Sequence, residues 1–121
     1  TLTEDVNGVK LVTGTTSATT IDALREMGDW IKVKLNNGGI VALGMIQENR
    51  PTMIVMVSSE LTKKGLHAGN IVKEVAKIIE GGGGGHPEMA QAGGKRADKL
   101  KEALSMVADI LRRPGHGAGK L

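Results

Sequence analysis

Short, nearly unbroken apolar runs alternate along this chain with segments in which apolar residues recur every three or four positions. The runs at residues 40–46 and 53–57 contain almost no polar residue and predict strands buried on both faces. Residues 47–50 between them are polar, so the two runs predict a central hairpin. Residues 9–13 alternate apolar and polar side chains and predict a first strand, and residues 89–92 predict a short inner strand of small residues.

Three segments carry the helical period. The first follows Thr19 or Thr20, either of which can cap it, and its apolar stripe consists of Ile21, Leu24, Met27, Ile31 and Leu35. The second follows Asn70 as a suitable cap, and its buried face consists of Ile71, Val72, Val75, Ile78 and Ile79. The third spans residues 97–111, with Leu100, Leu104, Val107 and Leu111 facing inward. The resulting order, β-α-β-β-α-β-α, predicts an α/β fold with a mixed sheet covered by helices on both faces.

The length of 121 residues predicts one domain, which we place at residues 1–113, with a disordered tail at 114–121. The chain has no cysteine, which excludes disulfides and thiolate metal sites and fits a reducing, cytosolic setting. No apolar run is long enough to span a membrane, so we expect no membrane partner. Residues 1–5 are polar and acidic and do not begin with Met, which indicates a piece of a longer protein.

The net charge of +3 is unevenly distributed. Residues 1–85 hold nine basic and nine acidic residues, whereas residues 86–121 hold seven basic and four acidic ones. The excess predicts an anionic partner at or after residue 86, although a solvated helix face would have the same charge. Trp30 is the only aromatic residue. Any contact with nucleic acid would therefore rely on backbone amides, cations and shape instead of a row of stacking rings.

Five consecutive glycines, Gly81 to Gly85, precede His86-Pro87-Glu88. Such a run is explained by a flexible linker, by a backbone path too crowded for side chains, or by a loop whose N–H groups face a ligand. The phosphate-loop pattern fails because Gly94-Lys95 is followed by Arg96, and the run follows a predicted helix where the nucleotide motifs follow a strand. The His-x-Glu of zinc deaminases lacks its cysteines here. We therefore expect no metal, no cofactor and no catalytic residue in this domain.

An anion cradle remains as one interpretation. Successive N–H groups of a glycine loop can form a nest for phosphate. Lys95 and Arg96 follow Gly93-Gly94 close to a helix N-terminus, which also favours anions, and Lys64 comes from a second loop. The alternative is that the glycines allow a helix and an inner strand to approach closely while the lysines are solvated. The residues alone leave both interpretations open.

Three blocks of the sequence resemble one known family: Lys-Gly-Leu-His-Ala-Gly-Asn-Ile-Val-Lys-Glu-Val-Ala at 64–76, the glycine run with His-Pro-Glu-Met-Ala-Gln-Ala-Gly-Gly at 81–94, and Lys-Leu-Lys-Glu-Ala-Leu at 99–104. Over residues 6–112 the chain is similar to the DHH-associated domain at the C-terminus of alanyl-tRNA synthetases. The resemblance implies a non-catalytic RNA-binding module that helps position tRNA-Ala for aminoacylation and editing. It implies RNA-facing roles for Gly82, Gly83, Gly84, Gly85, His86, Gly93 and Gly94. Lys95, Arg96 and Lys64 join them on charge.

The partners implied by the resemblance are tRNA-Ala and the upstream aminoacylation and editing domains of a parent chain. Related domains occur in free-standing alanyl-tRNA editing proteins and in DHH phosphoesterases, where a glycine–histidine loop contacts the nucleic-acid strand. A substrate-binding domain of such an enzyme is therefore a second interpretation. A third is a dimerisation module that forms a homodimer through an exposed edge of the sheet.

Overall fold

A mixed sheet of six strands forms the centre of the computed structural model, which describes residues 2–36 and 38–112. The strands are β1 (Leu2–Val6), β2 (Val9–Thr15), β3 (Gly39–Gln47), β4 (Arg50–Val57), β5 (Gly82–Gly85) and β6 (Met89–Gly93). The helices are α1 (Ile21–Lys34), α2 (Ser59–Thr62), α3 (Ala68–Val75) and α4 (Leu100–Arg112), with a 3₁₀ turn at Ala97–Lys99. The strand order is β1-β2-β3-β4-β6-β5, and only β2 and β3 run parallel. The predicted mixed sheet is confirmed, and the tail expected at 114–121 lies outside the described residues.

Helices cover both faces of this sheet. α3 and α4 pack on one face and α1 on the other. The predicted central hairpin is β3–β4, and its alternate residues supply both cores: Ile40 and Ala42 belong to the larger cluster under α3 and α4, whereas Val41 and Leu43 belong to the smaller one under α1. Strands that are buried on both faces require continuous apolar runs, which explains their pattern in the sequence.

The sequence predicted four strands, and the structure adds β1 and β5. β1 pairs with β2 through a tight turn in which Asn7 and Gly8 have φ values of 53° and 83°. An Asn-Gly pair with two positive φ values is the favoured turn of a two-residue hairpin. The sequence pattern missed β1 because its charged side chains, Glu4 and Asp5, break the apolar pattern of a strand at the edge of the sheet.

The helix ends also differ in part from expectation. Thr20 caps α1 as predicted, with its Oγ1 accepting a hydrogen bond from the Ala23 N–H at 3.1 Å. Met27 was placed on the buried stripe of α1 but is 39% exposed, and the helix approaches the sheet at the buried Gly28 instead. The predicted cap Asn70 is wrong, because α3 begins after His67 and ends at Val75.

Candidate functional site

The glycine run forms an edge strand and not a loop. β5 pairs with β6 on one side only, at the end of the sheet opposite β1. The His86 N–H donates to the Met89 carbonyl at 2.8 Å. Because hydrogen-bonded and non-hydrogen-bonded pairs alternate in an antiparallel ladder, the N–H groups of Gly83 and Gly85 point away from β6. Among the described residues, neither has a hydrogen-bond acceptor on that side. β5 therefore presents unpaired backbone donors at an exposed edge.

The odd-numbered glycines are required for packing. A Cβ at Gly81 would collide with the Gly93 carbonyl, and one at Gly83 would collide with the Gln91 carbonyl. A Cβ at Gly85 would lie 2.6 Å from the Met89 carbonyl oxygen. At these positions the backbone lies so close to β6 that no side chain fits between them. At these positions the crowded-backbone explanation holds.

Three other glycines have room for a side chain and carry none. A Cβ at Gly82 would meet nothing within 4 Å, and one at Gly93 would lie 3.8 Å from the Pro51 carbonyl oxygen, an ordinary contact. Gly84 has similar room, with the Cε of Lys73 as its nearest neighbour at 3.6 Å. Side chains at positions 82 and 84 would lie on the same side of β5, because alternate residues of a strand face one side. Gly93 is the partner of Gly82 in the β5–β6 register. We call these three residues the bare patch.

The loop after β5 is attached to the start of α3. The carbonyl groups of His86 and Pro87 accept hydrogen bonds from the N–H groups of Gly69 and Ala68, at 3.3 and 2.8 Å. The next N–H, that of Asn70, donates to Nδ1 of His67 at 3.2 Å. The first N–H groups of α3 are therefore hydrogen-bonded to acceptors within the protein. His86 is exposed, with its backbone held on both sides.

The amides after β6 are used internally as well. The Gly94 N–H donates to the Pro51 carbonyl at 3.1 Å, and the N–H groups of Lys95 and Arg96 share the Ile79 carbonyl at 2.8 and 3.0 Å. A Cβ at Gly94 would also collide with that carbonyl. These amides do not form the phosphate nest that the sequence suggested, so Lys95 and Arg96 can contribute only through their side chains.

Arg96 is held between two carboxylates. Its Nη2 lies 2.8 Å from Oδ2 of Asp98, and its Nη1 lies 3.1 Å from Oε2 of Glu80. The hydrogen bond with Asp98, followed by the one with Glu80, raises the pKa of Arg96, and the hydrogen bond from Arg96 lowers the pKa of Asp98. Two carboxylates therefore contact the guanidinium, so the positive charge of Arg96 is largely balanced at this place.

Three cations that sequence analysis did not select border the bare patch. Lys73 of α3 lies beside Gly84, as described above. Arg25 of α1 donates from Nη2 to Oε1 of Gln91 at 2.9 Å, and Gln91 lies opposite Gly84. Arg50 and Lys95 line a shallow cavity of about 280 Å³ together with Glu48 and Asn49. Sequence analysis missed these cations because only the pairing of β6 with β4 and β5 places them along one edge.

Lys64 lies on the loop between α2 and α3 and is exposed. Its position is toward the His86 end of β5, because the residues that follow it start α3 against the His86–Pro87 loop. Lys95 lies at the other end, beside Gly93 and Gly94. Lys64 and Lys95 therefore lie toward opposite ends of the edge, and Lys73 lies between them, beside Gly84.

The described ranges contain no group of three His, Cys, Asp or Glu side chains that could hold a metal ion. None of the helices in residues 2–36 and 38–112 combines the length and hydrophobicity that crossing a lipid bilayer requires.

The sequence pattern that defines the DHHA1 domain matches residues 8–113. The chain belongs to the DHHA1 domain family. It is 48% identical over 109 residues to the alanine–tRNA ligase of Natranaerobius thermophilus and 48% identical over 100 residues to that of Pelotomaculum thermopropionicum. These matches cover 90% and 83% of this chain but only 12% and 11% of the two ligases. The expected resemblance to alanyl-tRNA synthetases is therefore confirmed for one segment of those proteins.

Two solved structures share the fold of this chain. The C-Ala domain of alanyl-tRNA synthetase from Aquifex aeolicus superposes with a TM-score of 0.84 at 28% identity, covering 93% of this chain and all of that one. A DHH-domain protein of the s1p family of ribosomal proteins superposes with a TM-score of 0.64 at 17% identity, covering 93% of this chain and 28% of that one. The second likeness shows a common fold alone.

Proposed function

We propose that this DHHA1 domain is the tRNA-binding C-terminal domain of an alanine–tRNA ligase, and that it binds tRNA-Ala along the β5 edge. The domain is non-catalytic and helps to position the tRNA for the aminoacylation and editing domains of the parent chain. The observation that carries this proposal is the bare patch, because packing gives no reason for glycine at Gly82, Gly84 and Gly93. A surface without side chains allows a bulky polymer to approach the backbone closely.

Three features around the bare patch suit a polyanion. The outward N–H groups of Gly83 and Gly85 are donors for phosphate or ribose oxygens. Lys73, Lys95 and Arg50 supply positive charge along the same edge. β5 is the last strand of the sheet and its residues are exposed or half-buried, and such an open edge fits a polymer better than a small molecule. His86, whose backbone is fixed by α3, extends this surface at one end.

The affinity in this proposal comes mainly from neutralising phosphates, so it depends on salt. With roughly three phosphate contacts, affinity should fall about 30- to 100-fold between about 50 and about 200 mM monovalent salt. A filter-binding titration of tRNA-Ala with the 121-residue chain at both concentrations measures this change. Absence of binding at the lower concentration, or an affinity that is independent of salt, contradicts the proposal.

Gly82→Val tests the bare patch itself. The new side chain points into open space, so the fold should be retained while close approach of RNA is blocked, and we expect binding to weaken at least about tenfold. Gly83→Val, by contrast, would collide with β6 and could not separate binding from folding. Lys101→Ala is the control, since Lys101 is an exposed cation on α4 that lies beside Thr15, Thr16 and Ile46, near β2 and β3 and not at β5. Equal binding by wild type and Gly82→Val would exclude the patch as the contact surface.

The second interpretation, a substrate-binding domain of a DHH phosphoesterase or a free-standing editing protein, has weaker support. The relatives described above are alanine–tRNA ligases, and the likeness to the DHH-domain protein extends to the fold alone.

A further inference from the structure

The outer edge of β5 presents a hydrogen-bond acceptor as well as donors. In an antiparallel ladder the residues of a hydrogen-bonded pair use both their N–H and C=O groups on each other, so the residues between them turn both groups outward. The hydrogen bond from His86 to Met89 makes Gly83 one of these outward residues. Among the described residues, no group donates to the Gly83 carbonyl on that side. The Gly83 carbonyl is therefore an open acceptor on an exposed residue.

The carbonyl of Gly85, by contrast, lies against the start of α3. A Cβ at Gly69 would be 2.9 Å from this oxygen, and Gly69 is buried in the first turn of the helix. The accessible groups along the edge therefore follow the order donor, acceptor, donor: the Gly83 N–H, the Gly83 C=O and the Gly85 N–H. The two donors lie about 6.8 Å apart, because a strand rises about 3.4 Å per residue.

This order complements the backbone of RNA and not that of DNA. The phosphate and ring oxygens of a nucleic-acid backbone only accept hydrogen bonds, whereas the 2′-hydroxyl of ribose also donates. Because each ribose lies between two successive phosphates, the RNA backbone presents acceptor, donor, acceptor. A DNA strand on the same edge would leave the Gly83 carbonyl facing acceptors alone, and covering an acceptor without giving it a donor costs affinity.

We propose that the Gly83 carbonyl oxygen accepts a hydrogen bond from one ribose 2′-hydroxyl, while the N–H groups of Gly83 and Gly85 donate to the phosphates on either side of that ribose. This inference rests on the proposed function, because it assigns the group by which the same edge selects RNA over DNA. Lys73, whose Cε would lie 3.6 Å from a Cβ at Gly84, adds charge that acts on the phosphates of RNA and DNA alike. The cations therefore supply affinity, and the Gly83 carbonyl supplies discrimination.

Replacing the sugars of tRNA-Ala tests this hydrogen bond. A transcript with 2′-fluoro in place of every 2′-hydroxyl keeps the A-form sugar conformation and all phosphates but has no donor on its sugars. We expect the 121-residue chain to bind it about tenfold more weakly than the ribose transcript, with the same slope of log affinity against log salt concentration. Equal affinities for the two transcripts overturn this inference and leave the proposed function standing, whereas absence of binding to both at low salt overturns the two together.

Two variants test whether the discrimination arises at the edge. Gly82→Val keeps the RNA away from the strand, so the ratio of the two affinities should fall from about ten toward one. Lys73→Ala removes charge beside the edge but not the acceptor, so it should weaken binding of both transcripts while their ratio stays near about ten. A ratio that Gly82→Val leaves unchanged would mean that the fluorine acts through the shape of the tRNA, and it would overturn the assignment to Gly83.

Discussion

Single residues of the glycine run are subject to different constraints, which follow from the two sides of β5. At Gly83 a side chain would enter the space occupied by the Gln91 carbonyl and the Ala92 side chain, whereas at Gly82 it would enter solvent. The pairing with β6 therefore fixes the odd positions for folding and leaves the even ones available for contact with a ligand. Whether a glycine of the run has an odd or an even number therefore decides whether the fold requires it.

Gly83→Ala and Gly82→Ala form a matched pair that tests this division. We expect Gly83→Ala to destabilise the fold by about 1–3 kcal/mol, the usual cost of overpacking, which lowers the melting temperature by about 4–8 °C for each kcal/mol. Gly82→Ala should change stability by no more than about 0.5 kcal/mol. Thermal unfolding followed by circular dichroism measures both. Similar melting temperatures for the two variants would contradict the distinction.

The sequence alone could not show that odd- and even-numbered glycines of the run differ in their packing. Its pattern left two explanations for the glycines open, close packing and a ligand-facing loop, and close packing holds for the odd-numbered glycines alone. The deciding facts are the register Gly82–Gly93 and the close approach of β6, and these depend on contacts between residues about ten positions apart. Local composition carries no information about them.

At the level of elements, α3 and the β5–β6 hairpin support each other. The first amides of α3 are satisfied by His67, His86 and Pro87 instead of by water. The hairpin thereby fixes where the helix begins, and the helix fixes the loop that carries His86. Sequence analysis chose Asn70 because Asn is a preferred cap, but the carbonyl groups of a distant loop decide the start three residues earlier.

The cap of α3 can be tested by exchanging its acceptor. His67→Ala removes the group that accepts from the Asn70 N–H and should cost about 1 kcal/mol, whereas His67→Asn supplies another acceptor and should restore most of the stability. Hydrogen exchange at the Asn70 amide should become faster in the Ala variant and return toward the wild-type rate in the Asn variant. An unchanged exchange rate in His67→Ala would show that the Asn70 amide does not depend on this cap.

For the whole molecule, the periodicity of the sequence predicted the mixed sheet, its central hairpin and the helices on both faces. These features can be predicted because buried strands and amphipathic helices each have a characteristic spacing of apolar residues within a short segment. It could not predict the strand order, in which β6 inserts between β4 and β5. The same limit applies to charge. The basic excess after residue 86 was visible, but Arg96 is balanced by Glu80 and Asp98, while Lys73 and Arg50 reach the edge from earlier segments.

The distribution of free charge over the folded molecule leads to a prediction about salt. Each lysine that neutralises a phosphate contributes about one unit to the slope of log affinity against log salt concentration. Lys73→Ala should therefore weaken tRNA binding and reduce the slope by about one. Arg96→Ala should change the slope much less, because Glu80 and Asp98 already balance its charge. Lys101→Ala, near β2 and β3 and not at β5, should leave it unchanged. Titrations of each variant at four or more salt concentrations measure these slopes. A loss with Lys101→Ala equal to that with Lys73→Ala would mean that RNA is attracted by the net charge of the domain and not held at the glycine edge.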